Sequence, residues 1–186
     1  MQDIARETLI KAREGDLESF EAIYNAVSGF VYNVALRIVN NKEDAEEVAQ
    51  EAFLLIYSGL KRFRFESSFK TWVYRITVNC AINFAKKMSK IRNKTIRYED
   101  VSGPERLSVG YQDKTSVIDT GEAVKKLLGA LNPEQRACVV LRNIEGLSYA
   151  EIAKSLMVNI NTVRSRLKRA RERLLALNKG VGHEYM

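Results

Sequence analysis

The sequence predicts an all-α protein of two small helical domains joined by a flexible linker. Three observations predict it. Residues 3–90 carry apolar side chains at helical spacing with few breakers. Residues 91–118 lose that periodicity and collect Asp, Ser, Gly, Gln and Pro104, and helical patterning resumes from about 119. No strand-like alternation longer than a few residues occurs, and no internal repeat. A chain of 186 residues that is 46% hydrophobic has enough apolar surface for a real core.

Helices are predicted over 3–14, 16–40, 42–58 and 68–90. Gly15-Asp16 separates the first two, and Asn40-Asn41 the next pair. The loop-like composition of 91–118 reads as a linker, since an ordered loop of that length inside one domain is uncommon. Asn132-Pro133-Glu134-Gln135 is a helix start, with Asn as cap and Pro at the first position. Gly146 is placed to close that helix. Ser148 followed by Glu151 is a capping box, so another short helix begins there. Ile152, Ala153 and Leu156 give it an apolar stripe. Val158-Asn159-Ile160 breaks the rhythm, and Asn161 is the expected cap of the following helix.

That last pair of helices has the layout of a helix-turn-helix, whose second helix enters the DNA major groove. Val163, Leu167, Ala170 and Leu174 fall on one face of the second helix. Ser165 lies opposite, flanked by Lys168 and Arg169, with Arg164 and Arg166 further out. A small residue between basic arms suits close approach to base edges, where Arg bonds guanine and Lys or Arg grips phosphate.

Charge is divided along the chain. The net charge is +7, but residues 1–60 hold five basic against eleven acidic side chains. Residues 61–90 hold eight against one, and residues 121–186 twelve against six. Two basic segments and one acidic segment suggest two nucleic-acid surfaces and one surface for a basic protein partner. In the acidic segment, Ala45, Val48, Ala49, Ala52, Leu55 and Ile56 make one apolar helix face. Asp44, Glu47, Gln50, Glu51 and Leu54 gather on the other. An exposed acidic stripe that includes Leu suits docking on a basic helix or coiled coil, although a solvated helix face carries the same residue types.

In the segment 61–90, basic residues alternate with Phe63, Phe65, Phe69, Trp72 and Tyr74. Such interleaving suits single-stranded DNA, where each base stacked on an aromatic ring is worth about 1–3 kcal/mol. On a helix over 68–90, Val73, Ile76, Cys80 and Phe84 form the expected buried face. Trp72, Arg75, Asn79, Asn83 and Lys86 share a stripe away from it, and the two Asn amides could read the edge of an extruded base. The alternative is that Phe69 and Trp72 staple the preceding loop, with Phe63 and Phe65 as packing.

Other classes fit poorly. No run of about 18 apolar residues suggests direct membrane insertion, and the charged start, MQDIARETLIKARE, reads as no signal peptide. Cys80 and Cys138 are far apart and read as reduced core thiols of a cytoplasmic protein. With His183 as the one histidine and no nucleophile–base cluster, no catalytic residue, metal site or cofactor is expected, and the chain is not expected to be an enzyme.

Taken together, DAEEVAQEAFL, SFKTWVYRITVN and LNPEQRACVVLRNIEGLSYAEIAKSLMVNINTVRSRLKRARERL resemble, in order and spacing, the group IV or extracytoplasmic function (ECF) sigma factors of the sigma-70 family. The resemblance runs from about residue 5 to 177. It implies a sigma-2 helical bundle in 1–90, a linker over 91–118, a sigma-4 helix-turn-helix domain in 119–178 and a tail over 179–186. It implies core RNA polymerase as a partner, with Asp44, Glu47, Gln50, Glu51 and Leu54 on the β′ clamp helices and sigma-4 on the β flap. Promoter DNA is implied as both duplex and single strand. The loop 61–68 matches the region that captures a flipped −10 base. Trp72 aligns with strand separation, and Asn79 and Asn83 with the −10-reading helix; Phe63, Phe65, Phe69, Arg75 and Lys86 accompany them. Thr162, Arg164, Ser165, Arg166, Lys168 and Arg169 fall on the −35-reading helix. An anti-sigma factor is the implied regulator. The sequence departs from the family at Asn161, where Gly is common. A conventional helix-turn-helix regulator, or a sigma-like adaptor without promoter opening, is the alternative.

Overall fold

Eight α-helices make up the described part of the protein. The structure, a computed structural model, describes residues 4–99 and 120–181, with side chains over 4–91 and 121–177. The helices are α1 Arg6–Glu14, α2 Leu17–Val39, α3 Lys42–Leu60, α4 Phe69–Glu99, α5 Thr120–Gly129, α6 Pro133–Val139, α7 Tyr149–Leu156 and α8 Ile160–Val181. A widened, π-helical turn over Val140–Ile144 follows α6.

The expected punctuation holds at most joints. Gly15 turns left-handed at φ 102°, and the Ser19 N–H donates to Asp16 Oδ2 at 2.9 Å to open α2. Asn40 takes φ 66° and Asn41 caps α3 through the Asp44 N–H. Asn132 and Gln135 form a full capping box, as do Ser148 and Glu151. Gly146, at φ 73°, closes the turn after α6. Ser148→Ala would leave the Glu151 N–H without its acceptor and should cost about 1 kcal/mol in a urea titration.

Three expected boundaries need correction. The linker does not begin at 91: α4 continues to Glu99, and residues 100–118 of the expected linker lie outside the described residues. In the same way α8 takes in 179–181 of the expected tail, and 182–186 lie outside the description. The second helix of the helix-turn-helix is capped by Asn159, whose side chain accepts from the Asn161 N–H at 2.9 Å. Asn161 is already inside the first turn, and Met157 supplies the left-handed residue of the turn at φ 52°. The departure at Asn161 therefore places no strain on the backbone.

Helices α1 to α4 form one cluster, and α5 to α8 a second. In the first, α2 packs along α3 and α4 through Ile23, Val27, Val31, Val34, Ala35 and Ile38. By length and composition α2 is apolar enough to cross a membrane, but this face is spent on its neighbours. In the second, Val163, Leu167 and Ala170 of α8 are buried with Leu174 packed beside them, as the periodicity predicts. The clusters also pack on each other. Helix α4 lies against α6 and α7, so one continuous core runs from Leu9 to Leu167.

Polar contacts pin that junction. Arg136, buried in α6, donates from Nη1 to the Ile38 carbonyl at 2.6 Å and from Nη2 to Leu131 O at 2.9 Å. Ile38 O belongs to the last turn of α2, where carbonyls lack helical partners and a cation is favoured. Arg37 Nη1 meets Glu145 Oε1 at 3.1 Å, and the Tyr74 hydroxyl donates to the other oxygen of Glu145. Burial first, and then this bond, raise the Tyr74 phenol well above its ordinary pKa. Gly129 passes so near α2 that a Cβ there would come within 3.0 Å of Asn40 Nδ2.

Candidate functional site

Three exposed surfaces carry the predicted chemistry. The first is on α3. Its core side buries Ala45, Val48, Ala52 and Ile56, which turns Glu47, Gln50, Glu51 and Leu54 outward. Asp44 is half-buried at the helix start, where its N–H is held by Asn41. Leu54 is 70% exposed, a large apolar side chain amid carboxylates. Leu55, expected in the core, is instead exposed, because α3 packs on α2 and α4 through a narrower face than its wheel suggests. The surface continues onto α2. Tyr24 packs at a tilt on Phe53, 4.5 Å between centroids, and Phe20 meets Tyr57 edge-on at 4.7 Å; Leu17, at the start of the same helix, is exposed. Sequence reading missed this share of α2; exposed Leu17 and Tyr24 on its polar side were the available signal.

The second surface is at the loop 61–68 and the start of α4. Phe63 sits at the centre of an aromatic cluster, 4.8 Å from Phe65, 5.7 Å from Phe69 and 5.1 Å from Trp72. Phe63, Phe69 and Trp72 are all buried. The stripe reading of Trp72 is therefore corrected: its indole packs under the loop and against Gly59, where a Cβ would come within 3.1 Å of the ring. It is the staple that the sequence left as the alternative. Ile76, expected in the core, is half-buried. Phe65 differs from its neighbours. It is held at φ 59°, an unusual conformation for a bulky residue, and its ring faces the guanidinium of Arg6 at 5.0 Å and of Arg13 at 5.8 Å.

Beside Phe65 is a cavity of about 300 Å³ lined among others by Arg6, Ser67, Ser68, Phe69 and Lys70. An aromatic edge, two hydroxyls and two cations are what an unpaired nucleotide needs for stacking, edge bonding and phosphate contact. Arg6 comes from α1, a helix to which the sequence gave no role. Further along α4, Arg75 and Asn83 are exposed and Asn79 half-buried on one side of the helix. Lys86 continues this row, but its Nζ is paired with Glu134 Oε1 at 2.7 Å.

The third surface is α8. Arg164, Ser165, Lys168 and Arg169 are exposed opposite the buried stripe, and Thr162 is half-buried at the helix start. Arg164 Nη1 donates to Asn161 Oδ1 at 3.0 Å, and Lys168 has only a loose pairing with Glu172 at 3.9 Å. Arg166 is set apart. It is half-buried and turned toward Cys138 and Glu134 of α6. Burial pushes the Cys138 thiol up to about 11 against the pull of Arg166, and burial likewise pushes Cys80 up to about 11. Both cysteines are free thiols. Among the described residues no group of three or more His, Cys, Asp or Glu could hold a metal ion.

Known proteins match this chain in sequence and in fold. The family model for sigma-70 region 2 matches residues 23–91, and that for sigma-70 region 4 matches residues 121–174. The RNA polymerase sigma-H factor of Pseudomonas aeruginosa is 31% identical over 177 residues, covering 92% of both chains. The chain is an ECF sigma factor. Another relative, the ECF RNA polymerase sigma factor SigE of Mycolicibacterium smegmatis, is 33% identical over 164 residues, covering 85% of this chain. The chain spans 61% of the length of that longer relative. Among solved structures, the sigma factor RpoE of Bartonella quintana, in complex with the anti-sigma factor NepR, is similar with a TM-score of 0.63 and 25% identity. That likeness covers 87% of this sigma factor and 98% of RpoE. Sigma factors are transcription initiation factors without catalytic activity of their own.

Proposed function

We propose that this chain works in the cytoplasm, binding core RNA polymerase, carrying it to promoters and helping to open them. One observation supports this reading above others: a single chain exposes an acidic apolar face on α3, an aromatic, cationic cavity before α4 and a basic helix-turn-helix on α8. A regulator that only binds duplex DNA has no use for the first two. In this reading Glu47, Gln50, Glu51 and Leu54 dock on the β′ clamp helices, extended by Leu17 and Tyr24, while the second cluster reaches the β flap. Lys168, Arg169, Arg164 and Ser165 read the −35 duplex. The cavity beside Phe65 takes an unpaired −10 base, with Arg75, Asn79 and Asn83 along the same strand. Phe63, Phe69 and Trp72 serve by holding that loop in shape. An anti-sigma factor is the proposed regulator.

Transcription in vitro with sigma-free core polymerase and a randomised promoter library tests the reading. Starts that depend on this chain and share −10 and −35 elements are expected. Promoter binding without polymerase or starts would instead indicate a conventional regulator, and polymerase binding without starts an adaptor. Two variants test the division of labour. Leu54→Lys should weaken core binding by roughly 10–100-fold, the cost of a lost apolar anchor. Arg169→Ala should weaken −35-dependent transcription by a similar factor, from about 1–3 kcal/mol of lost contact, with core affinity intact.

A further inference from the structure

Helix α1 lies ahead of residues 23–91, the span that matches the sigma-70 region 2 model, yet it reaches the cavity beside Phe65. Arg6 and Arg13 are about two helical turns apart and so share one face of α1. That face meets Phe65, whose ring centroid is 5.0 Å from the Arg6 guanidinium and 5.8 Å from that of Arg13. Phe63 contacts the same ring at 4.8 Å. An aromatic neighbour and two cations thus hold Phe65 while its backbone stands at φ 59°, a conformation that a bulky residue keeps only when its surroundings fix it. The two arginines differ in one respect. Arg6 is exposed and lines the cavity, whereas Arg13 is half-buried and does not. Arg6 and Lys70 are the charged residues of that lining, and among the described residues no acid joins them. The acid next to Arg6 in sequence, Glu7, pairs instead with Lys11 at 3.0 Å.

We propose that α1 is part of the single-strand site: Arg6 bonds a phosphate of the captured strand, and Arg13 positions Phe65 without touching DNA. The proposal rests on reading the cavity as the place of an unpaired base. A base that enters the cavity brings its phosphate with it, and an exposed guanidinium in the lining can form two charge-assisted bonds to that group. Ser68 is committed elsewhere, since its hydroxyl accepts from the Thr71 N–H at 3.1 Å at the start of α4. Arg6 and Lys70 are left for the phosphate. Among the described residues Arg6 has no carboxylate partner to give up first. Arg13 contributes only the attraction of a cation for an aromatic ring, which keeps Phe65 in place.

Holoenzyme made from core polymerase and the full chain tests this. The probe is a fluorescein-labelled mixed-sequence single strand, with core polymerase alone as background. On single strands the logarithm of affinity falls with the logarithm of salt by about 0.7 for each phosphate contact. Arg6→Gln should weaken binding about tenfold and make that slope shallower by about 0.7. Arg6→Lys should keep the parent slope while losing part of the affinity, because an ammonium meets phosphate but lacks the planar guanidinium face. Arg13→Gln removes the same charge two turns away. It should weaken binding about threefold through Phe65 and leave the slope unchanged. A purely structural role for Arg6 would lower affinity without moving the slope, and that result would overturn the proposal. So would an equal change of slope in Arg13→Gln, or single-strand binding no stronger than that of core polymerase alone. Failure of the sigma-factor reading is seen separately, as missing transcription starts; starts with an unchanged Arg6→Gln slope would sink this proposal and leave that reading standing.

Discussion

Trp72→Ala should destabilise the protein by about 3–5 kcal/mol, the largest effect expected of any single substitution at the candidate sites. Only 8% of Trp72 is exposed, and its ring contacts Phe63, Phe69 and the Gly59 backbone. Removing it leaves a cavity under the loop that carries Phe65 and the nucleotide-sized space beside it. Urea titration followed by helical circular dichroism measures the loss. A loss below about 1 kcal/mol would mean that the indole is not a core anchor. Trp72→Phe separates folding from function. It keeps most of the packing, so its stability should fall by less, and opening of a promoter should survive in proportion. Opening lost in Trp72→Phe with stability kept would give the indole a direct role on DNA.

Arg136→Ala should cost about 3 kcal/mol, and its effect is felt at the junction rather than at a binding surface. The guanidinium is buried, and burial lowers its pKa, yet it joins the Ile38 carbonyl of α2 to the Leu131 carbonyl ahead of α6. Truncation leaves both carbonyls buried without a donor, and each orphan costs about 1–3 kcal/mol. Arg136→Lys restores a charge near the end of α2 but reaches fewer acceptors, so it should recover part of the loss. The same urea titration measures both variants. Equal stability of the Ala variant and the parent chain would mean that water or another donor satisfies the two carbonyls.

Much of the fold was legible because helix starts are local events. Asn132 with Gln135, and Ser148 with Glu151, need only the three residues between them to form their capping boxes. The buried stripe of α8 was legible too, because it follows from periodicity against a single neighbouring face. The cap of α8 was missed by two residues because Asn159 and Asn161 are chemically identical. What chooses between them is the left-handed turn at Met157, a residue that gives no such signal. The exposed basic side of α8, apart from the half-buried Arg166, and the outward face of α3 were legible too, since a face opposite a core stripe is set by geometry alone.

Helix α4 shows why the rest was hidden. A helical wheel assumes one core, but α4 is packed on α2 and α3 along one side and on α6 and α7 along another. Its buried residues, among them Trp72, Val73, Tyr74, Val78, Ala81 and Ile82, therefore cover far more of its circumference than a single stripe. Trp72 was misjudged for that reason. The acids at the junction were hidden differently. Glu134 and Glu145 read as ordinary surface residues, and nothing near them in sequence names Lys86, Arg37 or Tyr74 as partners.

By itself, then, the sequence determined an all-α chain, the positions of its caps, the helix-turn-helix and the chemical character of three surfaces, because each depends on residues a few positions apart. Only the tertiary structure decided that Trp72 is buried beneath the loop, that Arg6 joins the cavity beside Phe65, and that Glu134 and Glu145 clasp cations of the other cluster. Those contacts join residues tens of positions apart. They exist because α4 has a second face to bury and the second cluster supplies the apolar surface that covers it.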